Sequence, residues 1–245
     1  MTELDILAIF PHPDDAELIV GGTLLKLKSL GYRTGVLDMT RGEMSTRGTP
    51  ETRAVEANSA ARILRLDLRL NLEQPDGNVW LNDESRRALA RVLRQYRPRV
   101  LFTNHWDDPH PDHAHTSQIV REAARLATMW RYDMDAGLDP LTAPPIVAYE
   151  VYSRLVAPSF IVDVSEFAAG KMDAIRAYAS QFHRPDTNEP PTRISQQDFL
   201  GQVESRLHYY GSLINSAAGE AFYVREALNV ADPLALLTRP MNLYS

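Results

Sequence analysis

The sequence predicts an α/β fold in which helices cover both faces of a mainly parallel sheet. Short runs that are apolar on both faces alternate with amphipathic segments, and polar loops follow the runs. With 245 residues, 44% of them hydrophobic, the chain is long enough to bury a substantial core. Neither an internal repeat nor a linker divides it, so we expect a single domain over residues 1–245.

The first two strand-helix units begin at the N-terminus. Residues 4–10 (LDILAIF) form an apolar run typical of a buried strand, and the helix that follows ends at Gly31. Residues 34–40 are predicted as the second strand. The next helix has Thr49 as its N-cap and Pro50 at its first position, because that order suits the free N–H groups at a helix start.

Two further units complete the regular alternation. The third strand, the fourth strand and the helix after it are predicted over residues 68–73, 99–105 and 112–130. The intervening helix takes Asn82 or Asp83 as its N-cap and stops before Pro98. Repeated strand-helix crossovers of this kind favour parallel neighbours with right-handed connections.

The pattern is less regular in the second half. Strands over 146–153 and 159–165 are expected to extend the same sheet, and helices are expected over 166–182 and 196–214. Residues 183–195 (HRPDTNEPPTRIS) are too rich in proline and charge for either element. Our hypothesis is that this loop closes over a bound substrate.

Composition and charge exclude several classes of function. A net charge of −6 disfavours binding to nucleic acid or anionic membranes and favours a small-molecule partner. Neither a signal peptide nor an apolar stretch of membrane-spanning length is visible, so a soluble, cytoplasmic protein is expected. The chain has no cysteine, so a metal must be held by histidine, aspartate or glutamate.

A first group of polar residues, PHPDD, lies between the first strand and its helix. His12 offers an imidazole ligand for a metal, and Asp15 offers a carboxylate to the same ion. Asp14, pointing elsewhere, would be free to act as a base on a metal-bound water. The alternative is that Asp14 and Asp15 only cap the helix, with His12 as a surface residue.

A second group, NHWDDPHPDHAH, follows the fourth strand and holds four of the seven histidines within residues 104–115. In the pair His110 and His113, one can bind metal while the other stays near a reacting group, held by Asp112. The alternative is a solvent-exposed loop with an aspartate N-cap. For His105 and His115 that alternative is the better explanation.

The two groups are expected to meet. In a Rossmann-like sheet the strand order reverses between the first and fourth strands, and the loops that leave both strands line the ligand crevice. A zinc site with two histidines, one carboxylate and an open fourth position is then predicted from His12, Asp15 and His113.

The motifs PHPDDAE and HPDH resemble those of the zinc-dependent LmbE-like (PIG-L) N-deacetylases, which remove acetyl groups from N-acetylglucosamine (GlcNAc) units. The resemblance extends through LDMTRGEMSTRGTPETRAVEA and RLNLEQPDGNV, and more weakly to APSFIVDVS and SQF. The features TRGE, GTPETR and NLEQPDG are most similar to the branch that deacetylates GlcNAc-malate in bacillithiol biosynthesis.

The resemblance implies a role for each site residue. It implies Zn²⁺ ligands at His12, Asp15 and His113. Asp14 would be the general base, and His110 would stabilise the oxyanion or protonate the departing amine. Asp112 would orient His110. A homo-oligomer is also implied, since relatives of this branch are often hexamers.

Substrate-binding residues follow from the same resemblance. Arg53 corresponds to an arginine that faces the substrate in the family. A cation near a helix N-terminus is electrostatically unfavourable and requires an anionic partner, and a malate carboxylate would be one. The alternative is that Arg53 is only a solvated residue in the first turn of the helix. By position alone, Arg41 and Glu43 follow the second strand and so also lie at the crevice, where they either position sugar hydroxyls or pair with each other. We assign Asp76, in the turn PDG, no part in catalysis. Pro109 replaces an arginine that is frequent in the family, which leaves the substrate preference open.

Other functions remain as alternatives. A nucleotide-binding oxidoreductase would share the fold, but its glycine fingerprint does not follow the first strand. A non-catalytic sugar-binding module would be expected to lose Asp14 or a metal ligand, and the chain retains all of them. Among enzymes, GlcNAc-inositol, GlcNAc-lipid and chitooligosaccharides compete with GlcNAc-malate as substrates.

Overall fold

The computed structural model describes residues 3–154, 156–184, 188–229 and 231, and within these ranges it contains one seven-stranded sheet. The strands are β1 (Ile6–Phe10), β2 (Thr34–Thr40), β3 (Leu68–Gln74), β4 (Val100–Thr103), β5 (Ile146–Glu150), β6 (Phe160–Asp163) and β7 (Gly219–Val224). The helices are α1 (Asp15–Ser29), α2 (Pro50–Ile63), α3 (Asp83–Tyr96), α4 (Pro111–Leu126), α5 (Ala168–Arg176) and α6 (Phe199–Ser212).

Helix starts agree with the capping residues in the sequence. The Thr49 side chain accepts a hydrogen bond from the Thr52 N–H at 3.2 Å at the start of α2. At α3 the N-cap is Asn82, the first of the two predicted residues, and it forms a capping box with Ser85. At α4 the N-cap is His110. The alternative explanation of this segment, a solvent-exposed loop, had expected an aspartate at that position.

The strand order is β3-β2-β1-β4-β5-β7-β6, so β1 lies between β2 and β4. Both pairings of β1 are parallel, and β5 runs parallel to β4. The order therefore reverses between β1 and β4, as predicted, and the loops that leave these two strands are neighbours. The predicted fold class, a mainly parallel sheet between helices, is confirmed.

Strand β7 was missed by the sequence analysis. It runs antiparallel to both β5 and β6 and separates them in the sheet. Its residue Glu220 is buried, and its carboxylate accepts hydrogen bonds from the N–H groups of Gly22 and Thr23 and lies 2.5 Å from Lys171 Nζ. A Cβ on Gly22 would lie 2.9 Å from Val164 Cβ, so this glycine permits the close packing of α1.

Two apolar cores lie on opposite faces of the sheet. One contains residues of α1, α2, α5 and α6, and the other contains residues of α3 and α4. This arrangement provides the expected helical cover for both faces. The prediction of a single domain over residues 1–245 stays a prediction, because its last residues lie outside the described ranges. In the described part of the chain, every helix is too short or too polar to cross a bilayer.

Candidate active site

The loop after β1 holds Asp14 in an unusual conformation. Its φ is 118°, in the region that favours glycine, and its side chain makes no capping hydrogen bond to α1. Such a backbone costs on the order of 1 kcal/mol for a non-glycine residue. The carboxylate instead lies 3.1 Å from Nη2 of Arg53. The explanation of Asp14 as a simple helix cap therefore does not hold.

The two predicted loops meet at Asp15. Oδ2 of Asp15 lies 3.2 Å from Nδ1 of His12 and 3.5 Å from Nε2 of His113. One ligand atom from each of these three side chains fits within 4.8 Å of the others. Residues about one hundred positions apart in the chain thus form a compact set of donors, because β1 and β4 are adjacent strands.

Two carboxylates contact the His12 ring at Nε2, the nitrogen that does not face Asp15. Its Nε2 lies 3.1 Å from Oδ1 of Asp76 and 3.5 Å from Oδ2 of Asp112, while Nδ1 faces Asp15. Metal-bound histidines commonly present one nitrogen to the ion and donate the other N–H to a carboxylate. The orientation of His12 fits that pattern.

His113 shows the same arrangement with different partners. Its Nδ1 lies 3.3 Å from Oδ2 of Asp108 and 3.0 Å from Nδ2 of Asn104, so Nε2 faces Asp15. Two oriented imidazoles and a carboxylate form a donor set that suits Zn²⁺ or a similar divalent cation. The structure thus contains a possible metal site made of histidine and aspartate.

The electrostatics of the cluster also favour a cation. Burial alone would lower the pKa of His12, but hydrogen bonds that its ring donates to Asp112, Asp15 and Asp76 raise this pKa well above the usual histidine value. The pKa of His113 is raised as well: burial opposes this shift, and Asp15 and Asp108 outweigh it. Excess negative charge around two imidazoles is compensated when a positive ion binds between them.

Asp14 lies beside this cluster without being one of the three donors. Burial raises the pKa of its carboxyl to about 7, although the Arg53 guanidinium opposes the shift. Arg53 also donates to the Pro13 carbonyl, the Ser45 hydroxyl and, at 3.2 Å, the Gln181 side chain. The anionic partner that the sequence required for Arg53 is thus present within the chain, and a contact between Arg53 and substrate stays a prediction.

The structure changes the predicted contact between Asp112 and His110. The carboxylate of Asp112 accepts hydrogen bonds from the N–H groups of Gly77 and Val79, at 2.7 and 3.2 Å. The backbone N–H of Asp112, not its carboxylate, contacts Nδ1 of His110, at 3.2 Å. Because Nδ1 accepts this bond, the neutral ring carries its proton on Nε2. Burial and the neighbouring rings of His113 and His12 lower the pKa of His110.

A cavity of about 790 Å³ opens beside the cluster. Its wall includes Asp14, Arg53 and His110, but neither Arg41 nor Glu43 is among its lining residues. Glu43 accepts hydrogen bonds from the backbone N–H groups of Arg41 and Asp76, so its carboxylate stabilises the loops beside the site. Sugar contacts by Arg41 and Glu43 stay predictions.

Sequence reasoning missed Asp76 and misplaced His105. Asp76 follows β3 directly, so the argument that brought the loops after β1 and β4 together also applies to its loop, and its carboxylate reaches His12. His105, two residues after the end of β4, is only 3% exposed: its ring stacks on Trp106, and its N–H lies 3.3 Å from Oε1 of the buried Glu150. It is not the exposed loop residue that we expected.

The loop 183–195 contributes to the cavity wall through Thr192, Arg193 and Ile194. Its residues 185–187 lie outside the described ranges. Glu189 approaches Arg47, with Oε2 at 3.4 Å from Nε, and so connects this loop to the segment after β2. Closure of the loop over substrate stays a hypothesis.

Comparison with known proteins gives consistent matches. Residues 7–124 match the family model described as PIG-L, GlcNAc-PI de-N-acetylase. A diacetylchitobiose deacetylase of Thermococcus kodakarensis is 32% identical over 72% of this chain and 70% of its own length. A probable N-acetyl-α-D-glucosaminyl L-malate deacetylase 2 of Bacillus anthracis is 28% identical over 74% and 82%. The crystal structure of a conserved protein from Thermus thermophilus superposes with a TM-score of 0.82 at 36% identity, covering 93% of this chain and 97% of that one.

Proposed function

This chain belongs to the PIG-L (LmbE-like) family and is an N-deacetylase, and we propose that it removes the acetyl group of N-acetylglucosaminyl-malate. One observation carries the chemistry: His12, Asp15 and His113 meet around a common point, with Asp14 and His110 beside them. The motifs TRGE, GTPETR and NLEQPDG and the relative in Bacillus anthracis support the malate conjugate.

In the proposed reaction Asp14 acts as the general base, and His110 acts as a hydrogen-bond donor. A bound Zn²⁺, held by His12, Asp15 and His113, would supply Lewis acidity to water and to the acetamide carbonyl. Asp14 accepts a proton from the attacking water, since its carboxylate makes no capping hydrogen bond to α1 and the residue lines the cavity. His110 presents Nε2–H to the developing oxyanion. The proton taken up by Asp14 is then passed to the amine nitrogen as the C–N bond breaks and acetate leaves.

A second substrate has specific support. The relative in Thermococcus kodakarensis, at 32% identity, is named a diacetylchitobiose deacetylase. Diacetylchitobiose carries no charge, whereas GlcNAc-malate carries two carboxylates. The two candidates therefore differ in whether the distal part of the substrate needs a cationic partner in the cavity.

Rates of acetate release distinguish these substrates. We expect kcat/KM to be highest for GlcNAc-malate among a series that also includes GlcNAc-inositol, diacetylchitobiose and free GlcNAc. A value no better than that for free GlcNAc would exclude malate as the relevant group and leave the deacetylase activity intact. Metal analysis of the purified protein, followed by chelation and restoration with Zn²⁺, tests the cofactor.

We also propose that the protein is cytoplasmic, and that it is a homo-oligomer, as the family resemblance implies. Light scattering of the purified full-length chain gives the number of copies directly. A mass six times that of one chain would support a hexamer. A mass equal to that of one chain would exclude a homo-oligomer of any size.

A further inference from the structure

Two of the three arginines in the cavity wall have no carboxylate partner among the described residues. Arg206 belongs to α6, and Arg193 belongs to the loop 183–195. Neither guanidinium takes part in an ion pair within the described ranges, whereas the third arginine of the wall, Arg53, is paired with Asp14. In the part of the chain that the structure describes, two cations therefore border the cavity without forming an ion pair with a carboxylate.

The position of Arg206 follows from its helix. Phe199, Val203 and Arg206 are spaced i, i+4 and i+7, so they share one face of α6, and all three line the cavity. Phe199 and Val203 are buried against the core, which directs this face of the helix towards the site. The guanidinium is thus attached to a rigid element and not to a loop.

The side chain of Arg206 is also held in a useful orientation. Its guanidinium carbon lies 4.8 Å from the centroid of the Tyr152 ring. The Tyr152 hydroxyl donates to the Ile19 carbonyl at 3.4 Å, which restrains the ring. An arginine that uses its face against an aromatic ring keeps the N–H groups on its edge available for a carboxylate or phosphate.

Arg206 lies where the cavity continues beyond the reaction centre. Tyr152, Ser153 and Arg206 line both the main cavity and an adjoining hollow of about 430 Å³. The hollow is also lined by Tyr209 and Tyr210. A substrate whose acetamide lies at the donor cluster, and whose remaining part follows the cavity wall in this direction, would meet Arg206 at the junction.

We propose that Arg206, assisted by Arg193, binds an anionic group on the part of the substrate attached to the GlcNAc unit. This inference rests on the proposed deacetylase function and deepens it, because it makes these two arginines the determinants of preference for charged conjugates. A malate carboxylate and an inositol phosphate share the required chemistry. Bidentate, charge-assisted hydrogen bonds from a guanidinium recognise both.

Kinetics of R206Q and R193Q on a charged and a neutral substrate test the proposal. For GlcNAc-malate we expect R206Q to raise KM about 10- to 100-fold, as expected for loss of a charge-assisted contact, with kcat little changed. R193Q should have a smaller effect in the same direction. For diacetylchitobiose both variants should stay within about twofold of the wild type. The exposed R125Q, which removes the same charge from α4, serves as the control and should match the wild type on both substrates.

A binding measurement separates this inference from the proposed function. Calorimetry with the product glucosaminyl-malate should show weaker binding to R206Q than to the wild type and partial recovery in R206K. Glucosaminyl-inositol phosphate provides the phosphate arm, and the ligand that loses more affinity identifies the preferred anion. Equal changes in KM for charged and neutral substrates, or unchanged affinity for both products, would overturn the proposal. A wild type that releases acetate from no GlcNAc compound would instead refute the proposed function.

Discussion

Oδ2 of Asp14 lies 3.1 Å from Nη2 of Arg53, and both side chains are almost completely buried. The pair joins the loop after β1 to the first turn of α2. It explains how a strained, buried aspartate is kept beside the metal site, since Arg53 also donates to the carbonyl of Pro13.

We predict that R53Q destabilises the protein by about 3 kcal/mol, because removing one member of a buried ion pair leaves the other charge uncompensated. Urea unfolding measures this difference. R91Q is the matched control: Arg91 pairs with Asp133 but is half exposed, so its loss should cost clearly less than the loss of Arg53. Equal stabilities of the two variants would show that the buried pair does not support the fold.

Because of the backbone conformation of Asp14, replacement by glycine and replacement by alanine should differ in their effect on stability. D14G and D14A both remove the proposed base, and each should lower kcat by about 10²- to 10⁴-fold. D14G should nevertheless be more stable than D14A by about 1 kcal/mol, because glycine adopts a φ of 118° without strain. Thermal unfolding of both proteins checks this order, and the reverse order would contradict the backbone geometry.

Asp76 is predicted to support the metal site through His12. D76N should weaken Zn²⁺ affinity by about 10- to 100-fold, as expected when a carboxylate that orients a histidine ligand is lost. Competition with a fluorescent chelator measures the affinity. D83N is the control, because Asp83 lies exposed at the start of α3. Wild-type affinity in D76N would mean that Asp112 alone orients the ring.

Variants of His110 and His113 should distinguish a loss of catalysis from a loss of metal binding. H110A is expected to lose about 10² to 10³ in kcat while it retains the metal, in line with removal of one oxyanion donor. H113A should lose both metal and activity. His115 lies on the same helix, but its Nδ1 contacts the Val79 carbonyl oxygen, so H115A should keep both the metal and the activity. Full activity in H110A, or a fully metallated and active H113A, would refute the corresponding role.

A pH dependence of stability is expected away from the site. Hydrogen bonds from Arg91 and Arg87 lower the pKa of Asp133 below its usual value. A carboxyl with a lowered folded-state pKa stabilises the protein above its unfolded pKa of about 3.9, and this contribution is lost as the pH falls through the folded value. The stability difference between wild type and D133N should thus be positive at pH 7 and shrink below about pH 4. A difference independent of pH would exclude the charge as its cause.

Much of this protein was determined by local sequence. Alternating apolar and amphipathic segments predicted the sheet, and Thr49 and Asn82 mark helix starts, because strand period and capping depend on residues only a few positions apart. The motifs at His12 and His113 predicted convergence once the strand order was inferred. Strand β7 shows the limit of such patterns, since its buried Glu220 interrupts an otherwise apolar run and is balanced by Lys171, 49 residues away.

Only the tertiary structure decided which charges face one another. The sequence placed Asp14 beside a helix and Asp76 in a turn, and both were open to local explanations. Folding brings Asp14 to Arg53, Asp76 to His12, and Asp112 to the turn at Gly77. The physical reason is that a buried carboxylate takes as its partner whichever donor the packing brings near, and these donors come from strand-end loops or helix starts that are distant in the sequence. Residue types and their spacing thus determine the chemistry available, while the sheet order determines where it acts.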